Sequence, residues 1–193
     1  MKLIFATHNA HKLEEVKGLI PETINLLSLT DINFNEEIEE TETTIEGNAL
    51  LKARTIYSKT KINCFSDDSG LLIDALNGAP GVYSARYAGE PKNDHANTEK
   101  VLAQLIKENN RKAHFKTIIA LIVNGQEYVF EGIINGTIIN KKKGANGFGY
   151  DPIFVPNGYS KTFAELSSQE KSSISHRAIA VQKMMEVLRK ITE

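Results

Sequence analysis

The sequence predicts an α/β protein built on a mixed sheet, and three of its stretches carry that prediction. Lys2 to Thr7 reads as a strand running through a short polar turn, His8-Asn9-Ala10-His11-Lys12, into apolar residues at helical spacing. Ile62 to Phe65 is an apolar run, a buried strand, that stops abruptly at Ser66-Asp67-Asp68-Ser69-Gly70. Ala113 to Val123 and Gln126 to Ile139 flank Asn124-Gly125, a strong hairpin turn, so the sheet is not wholly parallel.

Taken in order, the first helix shows Leu13, Val16, Leu19 and Ile20 on one face and ends at Pro21. On the residues alone Asn9 reads as its N-cap and Lys12 as a solvated first-turn residue, although helix-start N–H groups beside a lysine also suit a phosphate. Ile24 to Leu29 is a second strand. Asp31 to Glu42 is strongly acidic, with Glu36, Glu37, Glu39, Glu40 and Glu42, most of them expected as a solvated face. Thr43, three residues before Glu46, signals a helix start. The helix that follows buries Ile45, Ala49, Leu50, Ala53, Ile56 and Tyr57, while Asn48 and Lys52 share another face. A further helix is expected from Asn93 to Asn109, with Val101, Leu102, Leu105 and Ile106 as its stripe. The last helix follows Ser175-His176-Arg177 and buries Ile179, Met184, Met185, Leu188 and Ile191. Basic residues in its first turn oppose the helix dipole unless an electron-rich group lies close.

At 193 residues one domain is expected, and 23 basic against 24 acidic residues leave no global field to attract nucleic acid. The single cysteine, Cys64, excludes an intrachain disulfide and reads as a buried small hydrophobe in a reducing compartment. No run approaches membrane-spanning length or a signal-peptide core, so a cytoplasmic protein without membrane attachment is expected.

Two adjacent carboxylates at a strand end are where α/β proteins place chemistry, and alternation along extended backbone should send Asp67 and Asp68 different ways. The same residues also make an ordinary polar turn. Gly144, Gly147 and Gly149 surround Phe148 and Tyr150, suggesting close backbone approach to something flat; either ring suits a nucleobase, and either suits a hydrophobic plug. The chain has no P-loop, no His-Glu-x-x-His, no Cys-x-x-Cys and no Gly-x-Ser-x-Gly. Oxygen ligands without soft ones suit Mg²⁺ or Mn²⁺, and such an ion with nearby lysines would neutralise a polyphosphate. This chemistry describes a Mg²⁺-dependent nucleotide phosphohydrolase.

A set of motifs then narrows the reading: Thr7-x-Asn9-x-x-Lys12, Asn48-Ala49-x-x-Lys52-Ala53, Ser66-Asp67-Asp68-Ser69-Gly70-Leu71, Gly78-Ala79-Pro80-Gly81-Val82-Tyr83-Ser84-Ala85-Arg86-Tyr87, Gly147-Phe148-Gly149-Tyr150-Asp151-Pro152 and Ser175-His176-Arg177. In kind and order they resemble the inosine triphosphate pyrophosphatase family, which hydrolyses non-standard purine nucleoside triphosphates. His11 departs from the glycine that many members carry beside the lysine. The resemblance implies an elongated mixed sheet flanked by helices, with residues 1–193 forming one domain of two lobes around a central substrate cleft. It implies cleavage of inosine, deoxyinosine and xanthosine triphosphates to the monophosphate and pyrophosphate, and a homodimer. By the family pattern Thr7, His8, Asn9, Ala10, His11, Lys12 and Lys52 contact phosphates, and Ser69 contacts substrate. Phe148, Gly149, Tyr150, Asp151, Lys171, His176 and Arg177 correspond to the purine pocket. Glu40 and Asp68 correspond to the magnesium ligands, Glu39 being the neighbour that a one-residue offset would substitute, and Asp68 to the residue that activates water. The competing reading is a nucleotide-binding sensor without catalysis.

Overall fold

A computed structural model describes residues 1–192. Six strands form one mixed sheet: β1 (Lys2–Phe5), β2 (Asn25–Leu27), β3 (Cys64–Ile73), β4 (Lys112–Val123), β5 (Gln126–Ile138) and β6 (Phe154–Pro156), in the order β2-β1-β3-β4-β5-β6. The helices are α1 (Ala10–Lys17), α2 (Ile45–Thr60), α3 (Asp94–Gln104), α4 (Ser168–Ile174) and α5 (His176–Thr192). β1 runs parallel to β2 and β3, in register Ile4↔Leu27 and Ile4↔Cys64, whereas β5 and β6 are antiparallel. Asn124 and Gly125 both take positive φ, the geometry that a two-residue hairpin between twisted strands needs. The fold class is therefore the α/β mixed sheet with flanking helices that the sequence predicts.

Two compact units divide the chain, each with its own core. The first takes Met1–Asp68, Thr117–Gly132 and Arg177 onward. Its core joins Leu3, Phe5, Val16, Phe65, Ile119, Leu121, Val181, Met184 and Leu188, and Phe5 stacks on Phe65 at 4.5 Å. The second takes Ser69–Lys116 and Ile133–His176, packing Leu71, Ile73, Val101, Phe115, Ile138, Ile153, Phe154 and Phe163 together. Cys64 is fully buried, its thiol donating to the Ala53 carbonyl in α2. No described helix is long and apolar enough to cross a membrane.

Several boundaries differ from expectation, each for a physical reason. Ser66 to Gly70 is not a turn at a strand end but lies inside β3. Turn propensity yields to tertiary context where an extended segment is buried on both faces. α2 is capped by Thr44, whose Oγ1 accepts from Gly47 N at 2.9 Å, one residue later than Thr43. α3 stops at Gln104 because Arg111 turns back onto the Leu105, Ile138 and Ile139 carbonyls, which leaves Ile106 outside the helix and 81% exposed. Ile191 is likewise exposed, and α5 buries Ala180 and Val181 beside the expected Met184, Met185 and Leu188. The short elements β6 and α4 were not foreseen.

Candidate functional site

The Asp pair is the starting point. Extended backbone alternates its side chains, and within β3 Asp67 and Asp68 meet different partners as expected. Asp67 is buried, with Oδ1 accepting from Lys12 Nζ at 3.0 Å and Oδ2 from Arg177 Nε at 3.0 Å. Burial alone would raise its carboxyl, but Lys12, Arg177 and Lys52 outweigh that and hold it far below the ordinary carboxylate range. The Arg177 guanidinium also donates through Nη1 to Glu15 of α1. The first-turn basic residue that seemed to oppose the dipole of α5 is thus answered by two carboxylates.

Lys12 is not solvated. Asn9 caps α1, its Oδ1 accepting from Lys12 N at 3.2 Å, while the Lys12 side chain reaches β3. Burial, aided by the neighbouring Lys52 and Arg177 charges, lowers its pKa despite Asp67. In the same turn Thr7 Oγ1 accepts from Asn9 N, His8 Nε2 meets the Glu36 carbonyl at 3.0 Å, and His11 lies on the surface with Ala10.

Asp68 faces a different set. Its Oδ1 is 3.7 Å from Lys52 Nζ, and the same ammonium donates to Glu40 Oε1 at 2.7 Å. Burial raises the Asp68 carboxyl above the ordinary range; Lys52 and Lys12 pull the other way, while Glu40 and Asp67 push with burial. Burial works against the Lys52 charge too, but Asp68, Glu40 and Asp67 together raise its pKa. Of the adjacent pair Glu39 and Glu40, it is Glu40 that meets Lys52, and Glu39 is exposed.

The donor set here is all oxygen. Among the described residues no group of three or more His, Cys, Asp or Glu side chains could hold a metal ion by itself. Mg²⁺ commonly takes one or two protein carboxylates and completes its shell with water and substrate phosphates, so Glu40 and Asp68 fit that ion.

The residues expected at a purine lie in the second unit, with Arg177 the exception, since it belongs to the first unit with Asp67. Asp151 Oδ2 accepts from Phe148 N at 2.9 Å and from the buried Lys171 Nζ at 2.6 Å. The Lys171 ammonium lies 4.9 Å from the Phe148 ring centre. Tyr150 is buried with its hydroxyl donating to the Ser84 carbonyl at 2.8 Å, and Gly149 N donates to Asp94 Oδ2 at 2.7 Å. His176 stacks on Phe115 at 4.7 Å with the rings 10° from parallel. Ser69, half-buried in β3, begins this unit.

Glu15 and Asp94 are the participants that sequence reasoning missed. Glu15 sits three residues after Lys12 in an ordinary helical pattern, and Asp94 looks like a plain first-turn acid. Only the pairing across 162 and 55 residues identifies them.

Known proteins similar to this chain identify its family. The chain is 56% identical over 190 residues to the dITP/XTP pyrophosphatase of Christiangramia forsetii, covering 98% of this chain and all of that protein. It is 53% identical to the protein of the same name from Flavobacterium johnsoniae, over 97% of this chain and 98% of the other. The solved structure of the Staphylococcus aureus Ham1 protein superposes with a TM-score of 0.90 at 38% identity, covering 98% and 99% of the two chains. Residues 3–187 match the sequence pattern of the Ham1 family, and the chain belongs to that family.

Proposed function

We propose that the protein is a Mg²⁺-dependent nucleoside triphosphate pyrophosphatase acting on inosine, deoxyinosine and xanthosine triphosphates, releasing the monophosphate and pyrophosphate. The names of its relatives support the substrate class. Within the molecule, the carrying observation is the division between adjacent aspartates, Asp67 locked between Lys12 and Arg177 while Asp68 faces Lys52 and Glu40.

Environments that push two neighbouring carboxyls apart assign their roles. Asp67 stays ionised as the counter-charge of two buried cations. Asp68, raised by burial, is the better proton acceptor and takes the proton of the attacking water at a carboxylate oxygen. The water oxygen bonds to phosphorus as the anhydride bond between the α and β phosphates breaks, and pyrophosphate leaves with the electron pair. Lys12, Lys52 and the Thr7–Lys12 turn supply positive charge and donors to the phosphates, already oriented before the reaction. Glu40 and Asp68 would hold Mg²⁺, which when bound neutralises phosphate charge and acidifies water.

Phe148, half-buried over Lys171, is the surface for a purine face, since the Tyr150 ring is enclosed. Hydrogen-bond sign then discriminates. Inosine and xanthosine carry a 6-oxo acceptor where adenine carries a 6-amino donor, and a donor such as His176, stacked on Phe115, pairs only with the former. Leaving a buried polar group unpaired costs about 1–3 kcal/mol. With Arg177 engaged by Asp67 and Glu15, its part is to hold the first unit's charges. A cytoplasmic homodimer completes the proposal, two-fold pairing being the commonest assembly; sedimentation at twice 21.4 kDa is expected, and a monomer would remove it.

The deciding assay measures pyrophosphate released from inosine, xanthosine, adenosine and guanosine triphosphates, with Mg²⁺ or with chelator. Turnover of the first two, abolished by chelator, is expected. Equal turnover of adenosine triphosphate would defeat the selectivity, and binding without turnover would make the protein a sensor.

A further inference from the structure

The acidic stretch after Phe34 has no regular secondary structure; Glu36, Glu37, Glu39 and Glu42 are exposed, as expected of a solvated face, and Glu40 is half-buried. The stretch runs as a strap along α2, from the helix's last turn to its first. Glu36 pairs with Lys59, Glu40 with Lys52 at 2.7 Å, and Glu42 N donates to Asn48 Oδ1 at 3.0 Å. At the strap's end a Cβ on Gly47 would meet Glu42 Cβ at 2.8 Å and Cγ at 3.0 Å, so the helix surface is shaped to the Glu42 side chain. Thr44 then caps α2 and closes the connection.

We propose that Asn48 and Gly47 are positioning residues that fix the register of this strap, so that Glu40 and not Glu39 is delivered to Lys52 and Asp68. The inference rests on the reading of Glu40 as a metal ligand. Lys52 cannot make this choice alone, because an ammonium is a point charge that accepts either neighbouring carboxylate. A slip of one residue along the strap would bring the exposed Glu39 to Lys52 in place of Glu40. Asn48 supplies a directional acceptor to one backbone N–H, and Asn48 is itself fully buried in α2. Gly47 admits one side chain in one place. Both locks act at Glu42, two residues along the strap from Glu40.

The test replaces Gly47 with alanine, a better helix former that collides with Glu42. Amide hydrogen exchange over residues 36–43 is read by mass spectrometry. Mn²⁺ affinity is read by electron paramagnetic resonance with the imido analogue of inosine triphosphate. In Gly47→Ala the strap exchanges faster and Mn²⁺ binds about tenfold more weakly, and Gly47→Ala/Glu42→Gly, which removes the Glu42 atoms while the capping Thr44 Oγ1 contact at 3.0 Å remains, recovers part of that affinity. Asn48→Leu, similar in volume but without an acceptor, speeds exchange of the same segment. Unchanged exchange in both single variants overturns the proposal. Glu40→Gln separates the two readings: if Mn²⁺ affinity is unchanged, the metal assignment of Glu40 fails, while the exchange data still decide the register.

Discussion

Asp67 and Asp68 share a strand and a charge, but they should fail in different ways. Asp67→Asn removes the counter-charge from two buried cations, and breaking a buried pair from one side costs about 3–5 kcal/mol. Chemical denaturation with chelator present should show that loss. Asp68→Asn removes a carboxylate that burial disfavours, so metal-free stability should hold or rise. Pyrophosphate release in that variant should fall by roughly 10²–10⁴-fold, the ordinary contribution of a positioned base. A larger catalytic loss from Asp67→Asn, with stability intact, would reverse the assignment. At this scale the sequence was informative about which residues matter and silent about who meets whom. That Asp67 and Asp68 differ follows from alternation alone. That Arg177 belongs with Asp67 depends on a contact across 110 residues, which no local pattern encodes.

Among the elements, the glycine-aromatic loop shows what its glycines are for. Gly147 has positive φ, and a Cβ there would strike the Asp151 carboxylate that joins Phe148 N to Lys171. Gly147→Ala should therefore displace Phe148 from Lys171. KM for inosine triphosphate is expected to rise about tenfold with kcat changed far less, the pattern of lost uniform binding. An equal fall in kcat and kcat/KM would place the loop in the chemistry instead. Elements with strong periodicity, α1, α2 and the β4–β5 hairpin, were legible because one residue pattern and one structure agree. β3 was misjudged at Ser66 to Gly70 because local turn propensity and burial between neighbours conflict there, and burial wins. The acidic stretch is mostly exposed, as its charge suggests, but its pairing with Lys52 and Lys59 of α2 is a contact that no local pattern encodes.

At the scale of the molecule, each compact unit holds its own core. Charge is concentrated around Asp67 and Asp68 in the first, and aromatic and cationic groups around Phe148 and Lys171 in the second. The division of the chain into discontinuous segments could not be read from composition.

One buried atom has a practical use. The buried Cys64 thiol lies in β3 opposite Ile4 of the parallel β1 and donates to the Ala53 carbonyl of α2, and burial pushes its pKa up to about 12. At pH 8 about one thiol in ten thousand is then ionised, so iodoacetamide should leave the native chain unlabelled for as long as it stays folded. Rapid labelling of native protein would contradict that. A chain whose only thiol is silent when folded comes with its own unfolding reporter. It also accepts a cysteine placed at any exposed position, on the strap or beside Phe148, as a unique attachment point for a dye or spin label, with no native thiol to remove first.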